Sequence, residues 1–150
     1  MKHARKLTAM MLVLAFLFLL STSAFAVRED GQSHTYEGLR VSRWMIGGSS
    51  TVTAYMEFDE PTENGYSFSA RMVLAYTYCP SNAMRPSNYV TRTVTKSFTE
   101  QGDGDMISLA SSSIPAGCVL IEATCSFEAT ITTPNATVLY EPDDLTIYLN

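Results

Sequence analysis

The sequence predicts an all-β protein: a small immunoglobulin-like sandwich of about seven to eight antiparallel strands, carried behind a secretory leader, with a closed β-barrel as the alternative. Three observations predict it. Apolar and polar residues alternate along several stretches, clusters of turn-forming residues separate those stretches, and no stretch after residue 26 keeps a helical period.

Residues 1–26 have the three parts of a secretory signal in order. Lys2, Arg5 and Lys6 give a basic start, residues 9–20 are apolar throughout, and Ala24-Phe25-Ala26 supplies the small-x-small pattern cut by signal peptidase. The apolar run is shorter than the roughly 18 residues a membrane-spanning helix needs. Cleavage is therefore expected, leaving one domain over residues 27–150. No cysteine follows the apolar run to take a lipid, and the final residues carry no apolar tail. The mature chain is expected to have no stable membrane anchor and to be secreted or extracellular, or periplasmic in a two-membrane bacterium.

Along the mature chain, residues 27–35 are polar and read as a loose N-terminal arm. Residues 38–46 form a first strand. Residues 51–58 alternate cleanly, with Val52, Ala54, Met56 and Phe58 on one face and Thr51, Thr53, Tyr55 and Glu57 on the other. In residues 66–78 the even positions (Tyr66, Phe68, Ala70, Met72, Leu74, Tyr76 and Tyr78) are apolar. Residues 89–98 are rich in threonine and valine, which suit a pleated surface. Residues 106–110, 137–141 and 145–149 are shorter candidates. Residues 119–131 carry the clearest pattern, with odd positions from Val119 to Ile131 apolar and even ones mostly polar. That strand is long enough to require a bend or bulge. Gly47-Gly48 and the segments 61–65, 80–88, 101–105, 114–117, 133–135 and 142–144 hold the turn residues between strands.

Three cysteines follow the leader: Cys79, Cys118 and Cys125. Cys118 and Cys125 lie on one strand, about 23 Å apart if extended, too far for a disulfide. If the strands ending at Cys79 and starting at Cys118 are antiparallel neighbours, both thiols follow the polar faces and lie together. A Cys79–Cys118 bridge is expected, leaving Cys125 as a buried free thiol on the apolar face; Cys79–Cys125 is the competing pair.

Composition excludes several functions. The full chain has 10 basic and 15 acidic residues, a net charge of −5, and it becomes more acidic when the leader departs with its basic residues. Bulk electrostatics then gives no hold on nucleic acid or anionic lipid. The single histidine after the leader, His34, falls in the loose arm, so no nucleophile-histidine pair is indicated. Glu122 and Glu128 share the polar face of a strand about 20 Å apart along it, outside glycosidase spacing. Neither catalytic residues nor a cofactor are expected, and no His/Cys cluster has zinc spacing. Asp103-Gly104-Asp105 is a short acidic turn of a kind that can offer oxygen to calcium, but it lacks a full loop motif. Asn135-Ala136-Thr137 fits an N-glycosylation triplet.

Binding is the function class left. Trp44 shares a strand face with Arg40, Ser42 and Ile46, and Tyr55 points away from the apolar face of its own strand. Trp44 suits either a core position or a surface anchor. Arg85 lies in the 80–88 loop beside Cys79. Trp44, Tyr55 and Arg85 are therefore the candidate binding residues, for an extracellular glycan or a protein partner. A structural, self-assembling protein is the alternative, through pairing of edge strands. An exported enzyme comes third.

Overall fold

The computed structural model describes residues 26–59, 65–101 and 106–149, which form ten strands in two five-stranded antiparallel sheets. Residues 1–25 of the expected leader and the Asp103-Gly104-Asp105 turn lie outside the described residues. Apart from a short 3-10 turn at Pro86–Asn88, the described regular structure is all β. The sheets are not closed into a barrel.

The first sheet contains β1 (Val27–Asp30), β2 (His34–Tyr36), β3 (Leu39–Gly47), β4 (Val52–Asp59) and β7 (Met106–Ala110). Its order is β1-β3-β4-β7, with β2 also pairing along β3. The second contains β5 (Ser67–Pro80), β6 (Val90–Gln101), β8 (Cys118–Thr132), β9 (Thr137–Tyr140) and β10 (Leu145–Tyr148). Its order is β10-β8-β5-β6, with β9 also on β8. The expected strands are all present, and short N-terminal strands are added to them.

Alternation explains how the two sheets meet. Val41, Met45, Ala54, Met56 and Phe58 from the first sheet join Met72, Leu74, Tyr76, Phe127 and Ile131 from the second in one buried cluster. Phe58 and Phe68 stack across the sheets with ring centroids 3.8 Å apart. Burying each large side chain contributes about 1.5–3 kcal/mol. This shared core makes the arrangement sandwich-like.

The arm expected to be loose is structured. Val27 to Asp30 pair in register with Gly47 to Trp44, and His34 to Tyr36 with Val41 to Leu39. Polar composition gave no hint of this, because β1 is held mainly by its backbone pairing to β3.

The bulge needed in the longest strand falls near its start. Thr77 opposes Glu122 but Tyr78 opposes Leu120, so Ile121 is an extra residue in β8. Leu120 and Ile121 are consequently both buried. The extra residue reverses which parity faces the core, and this undoes the expected Cys79–Cys118 bridge. The two strands are antiparallel neighbours, but Cys79 opposes Val119 and Cys118 opposes Pro80. Directly opposed residues share a face, so the two cysteines lie on opposite faces of the sheet. Cys79, Cys118 and Cys125 are all free thiols.

Candidate functional site

Trp44 and Tyr55 are brought together by register. They are directly opposed across β3 and β4, on the outer face of the first sheet. Their rings stack with centroids 5.3 Å apart and planes within 10°. Arg28 of β1 completes the row, its guanidinium carbon 5.3 Å from the Trp44 ring centroid. Trp44 is half-buried and stands outside the core cluster. The result is a ladder across three strands, Arg28–Trp44–Tyr55, in which the indole is flanked by a cation on one side and a phenol ring on the other.

Arg28 is held in place by Asp30, two residues along the same strand. Its Nη2 donates to Asp30 Oδ1 at 2.6 Å and its Nε to the same oxygen at 2.8 Å. Hydrogen bonding from Arg28 lowers the Asp30 carboxyl below its usual range, and the same bond raises the arginine. Both groups are solvent-exposed, so this pair positions the guanidinium more than it stabilises the fold. Beside the ladder is a shallow groove of about 430 Å³ lined by Arg28, Asp30, Ser42, Trp44 and Glu57 among others.

Arg85 does not join this row. It lies exposed in the loop between β5 and β6, in the opposite sheet, where the 3-10 turn follows it. That loop is braced internally, with Asn88 Nδ2 donating to the Ala83 carbonyl at 2.9 Å. The candidate residues thus divide into one assembled row and one separate loop.

A second feature was missed in the sequence. Arg43 lies on the core face of β3, opposite Met56, and is only 5% exposed. It reaches from the first sheet to the second. Its Nη1 donates to the Asp143 carbonyl at 2.6 Å, and its guanidinium carbon is 5.5 Å from the Phe127 ring centroid. Gly31 is packed against it, so that a Cβ there would come within 2.7 Å of Arg43 Cγ and 2.8 Å of Cζ and Nε. Nearby, Tyr140 is met edge-on by His34 at 5.4 Å and by Tyr36 at 6.2 Å between ring centroids. Burial raises the Tyr140 hydroxyl pKa, and the charge of Arg43 opposes that rise. The signal was present: Arg43 shares its parity with Val41 and Met45, so alternation alone puts a charge on an apolar face.

Cys125 is fully buried in the core. Burial, reinforced by the charge of Asp144, pushes its thiol up to about 12. A thiol so protonated is no nucleophile at neutral pH. Among the described residues, no group of three or more His, Cys, Asp or Glu side chains is placed to hold a metal ion. No described helix is long and apolar enough to cross a membrane. The sequence matches no known family model and no curated protein.

Proposed function

We propose that the chain is exported after loss of residues 1–26 and acts as a non-catalytic module that binds a protein partner through the outer face of its first sheet. The Arg28–Trp44–Tyr55 ladder carries this reading. A sugar ring stacks on an open aromatic face, but both faces of Trp44 are taken, one by Arg28 and one by Tyr55. What is left outward is an aromatic edge with a fixed cation and polar flanks. Tryptophan, tyrosine and arginine are the side chains that anchor protein interfaces. An immunoglobulin-like plan is supported by the second sheet, whose β10-β8-β5-β6 order corresponds to strands G-F-C-C′ of that fold. In the first sheet the β3-β4-β7 order likewise corresponds to A-B-E, and the short β1 and β2 beside β3 are additions to that plan.

Self-assembly through an edge is the second reading, favoured by the length of β6, 12 residues. Arg92 and Lys96 work against it. They oppose Tyr76 and Met72, both buried, and so sit on the core side of an edge strand. Inward charges at an edge discourage pairing with another chain.

The test is a pull-down from envelope and culture fractions with the folded mature protein. Trp44→Ala and Tyr55→Ala should each weaken capture at least about tenfold, the size of an interface anchor, and Arg85→Ala should leave it intact. Competition by soluble oligosaccharide would instead establish a glycan ligand. Unaltered capture by both ladder variants would discard the proposed surface.

A further inference from the structure

Arg43 lacks what a buried charge normally has. Among the described residues it forms no ion pair, since the pair found there is Arg28–Asp30. Its Nε has no acceptor, and the Asp143 carbonyl is the acceptor its Nη1 reaches. Removing a guanidinium from water costs far more than one carbonyl returns, which is why buried arginines are usually paired with an anion. A neighbouring buried polar atom, Nδ1 of His34, is also unpartnered.

Arg43 and His34 border an opening between the two sheets. A cleft of about 400 Å³ is lined by His34 and Arg43 and by Glu141, Asp143 and Asp144, along with Asp30 and Gln32. Its size suits a small molecule. Its polarity is divided. The buried guanidinium offers a positive fork that matches a carboxylate. Glu141, Asp143 and Asp144 are exposed and put negative charge at the mouth. A simple anion would meet the acidic mouth, and a simple cation would meet the guanidinium. A molecule with a carboxylate and an ammonium a few bonds apart satisfies both.

We propose that this cleft binds a free α-amino acid, with its carboxylate on Arg43 and its ammonium toward Glu141 and Asp144. The cleft adjoins the ladder's groove and shares Asp30, Gly31 and Arg43 with it, but its ligand is a small molecule rather than the protein partner.

The test is titration of the folded wild-type protein with each of the twenty standard amino acids, followed by NMR and calorimetry. At least one should bind with millimolar or tighter affinity. N-acetylation and carboxamidation of that amino acid should each weaken binding at least tenfold. The exposed double variant Glu141→Gln/Asp144→Asn should do the same while leaving the circular dichroism spectrum unchanged. Arg43→Lys should weaken binding further, and the rim variant keeps the test valid if that protein fails to fold. No binding of any amino acid at 10 mM would overturn the proposal. So would equal binding of acetate, which would mark a general anion site, or full binding by the rim variant.

Discussion

At the residue scale, Gly31 and Cys125 give the sharpest expectations. Gly31 lies against the Arg43 side chain, with no room for a Cβ. Gly31→Ala must displace a guanidinium that ties the two sheets together. It should cost about 1–3 kcal/mol, the usual range for overpacking, measured by urea unfolding. Cys125 affects stability through protonation. Its thiol titrates near 9.0 when unperturbed and at about 12 in the fold. Between those values the folded state keeps a proton that the unfolded state has lost. Stability is therefore full below pH 9.0 and falls as pH rises toward about 12, with a slope of up to about 1.4 kcal/mol per pH unit. Tyr140 adds a slope of the same sign. Cys125→Ala should remove the cysteine share, and denaturant midpoints measured across that range will show whether it does. Trp44 and Tyr55 should be coupled by about 0.5–1.5 kcal/mol in a double-mutant cycle, the value of an aromatic pair.

At the element scale, β8 and β6 determine behaviour. The extra residue Ile121 separates Cys79 from Cys118 by face. Alkylation of the unfolded, unreduced protein should therefore label Cys79, Cys118 and Cys125 alike; recovery of a Cys79–Cys118 peptide pair would show that the register differs. In β6, replacing Arg92 and Lys96 together by valine should convert a guarded edge into an adhesive one. Concentration-dependent association of that variant, seen by sedimentation velocity against a wild type that does not change, is the expected outcome. Equal sedimentation of the two would mean that the inward charges have no protective part.

At the scale of the whole molecule, the two sheets share one core and should unfold together. Met45→Ala from the first sheet and Leu74→Ala from the second should each cost about 2–5 kcal/mol, as buried large-to-small substitutions do. Each should move a single transition. The protein has one tryptophan, Trp44 in the first sheet, so its fluorescence can be compared with circular dichroism from all strands. Coincident curves indicate one cooperative unit. Separate curves would mean that the sheets are held together less firmly than their common core implies.

The strands themselves were legible in the sequence, because a period of two is a local property. Residues such as Val52, Ala54 and Met56, or Ala123, Cys125 and Phe127, declare a face without reference to anything distant. The same parity placed Tyr55 outward and Cys125 inward. It also held the clue to Arg43, a charge among apolar neighbours, although not its meaning. Tertiary structure decided the rest. The Arg43 contact with the Asp143 carbonyl spans 100 residues of sequence, and no local pattern records it. The pairing of Arg28 with the Trp44 row required knowing that a polar arm lies along β3. The separation of the cysteines depended on one extra residue that reverses parity partway along β8. The alternation of a strand belongs to its own residues, whereas register, bulges and contacts between sheets are settled by packing against the rest of the chain.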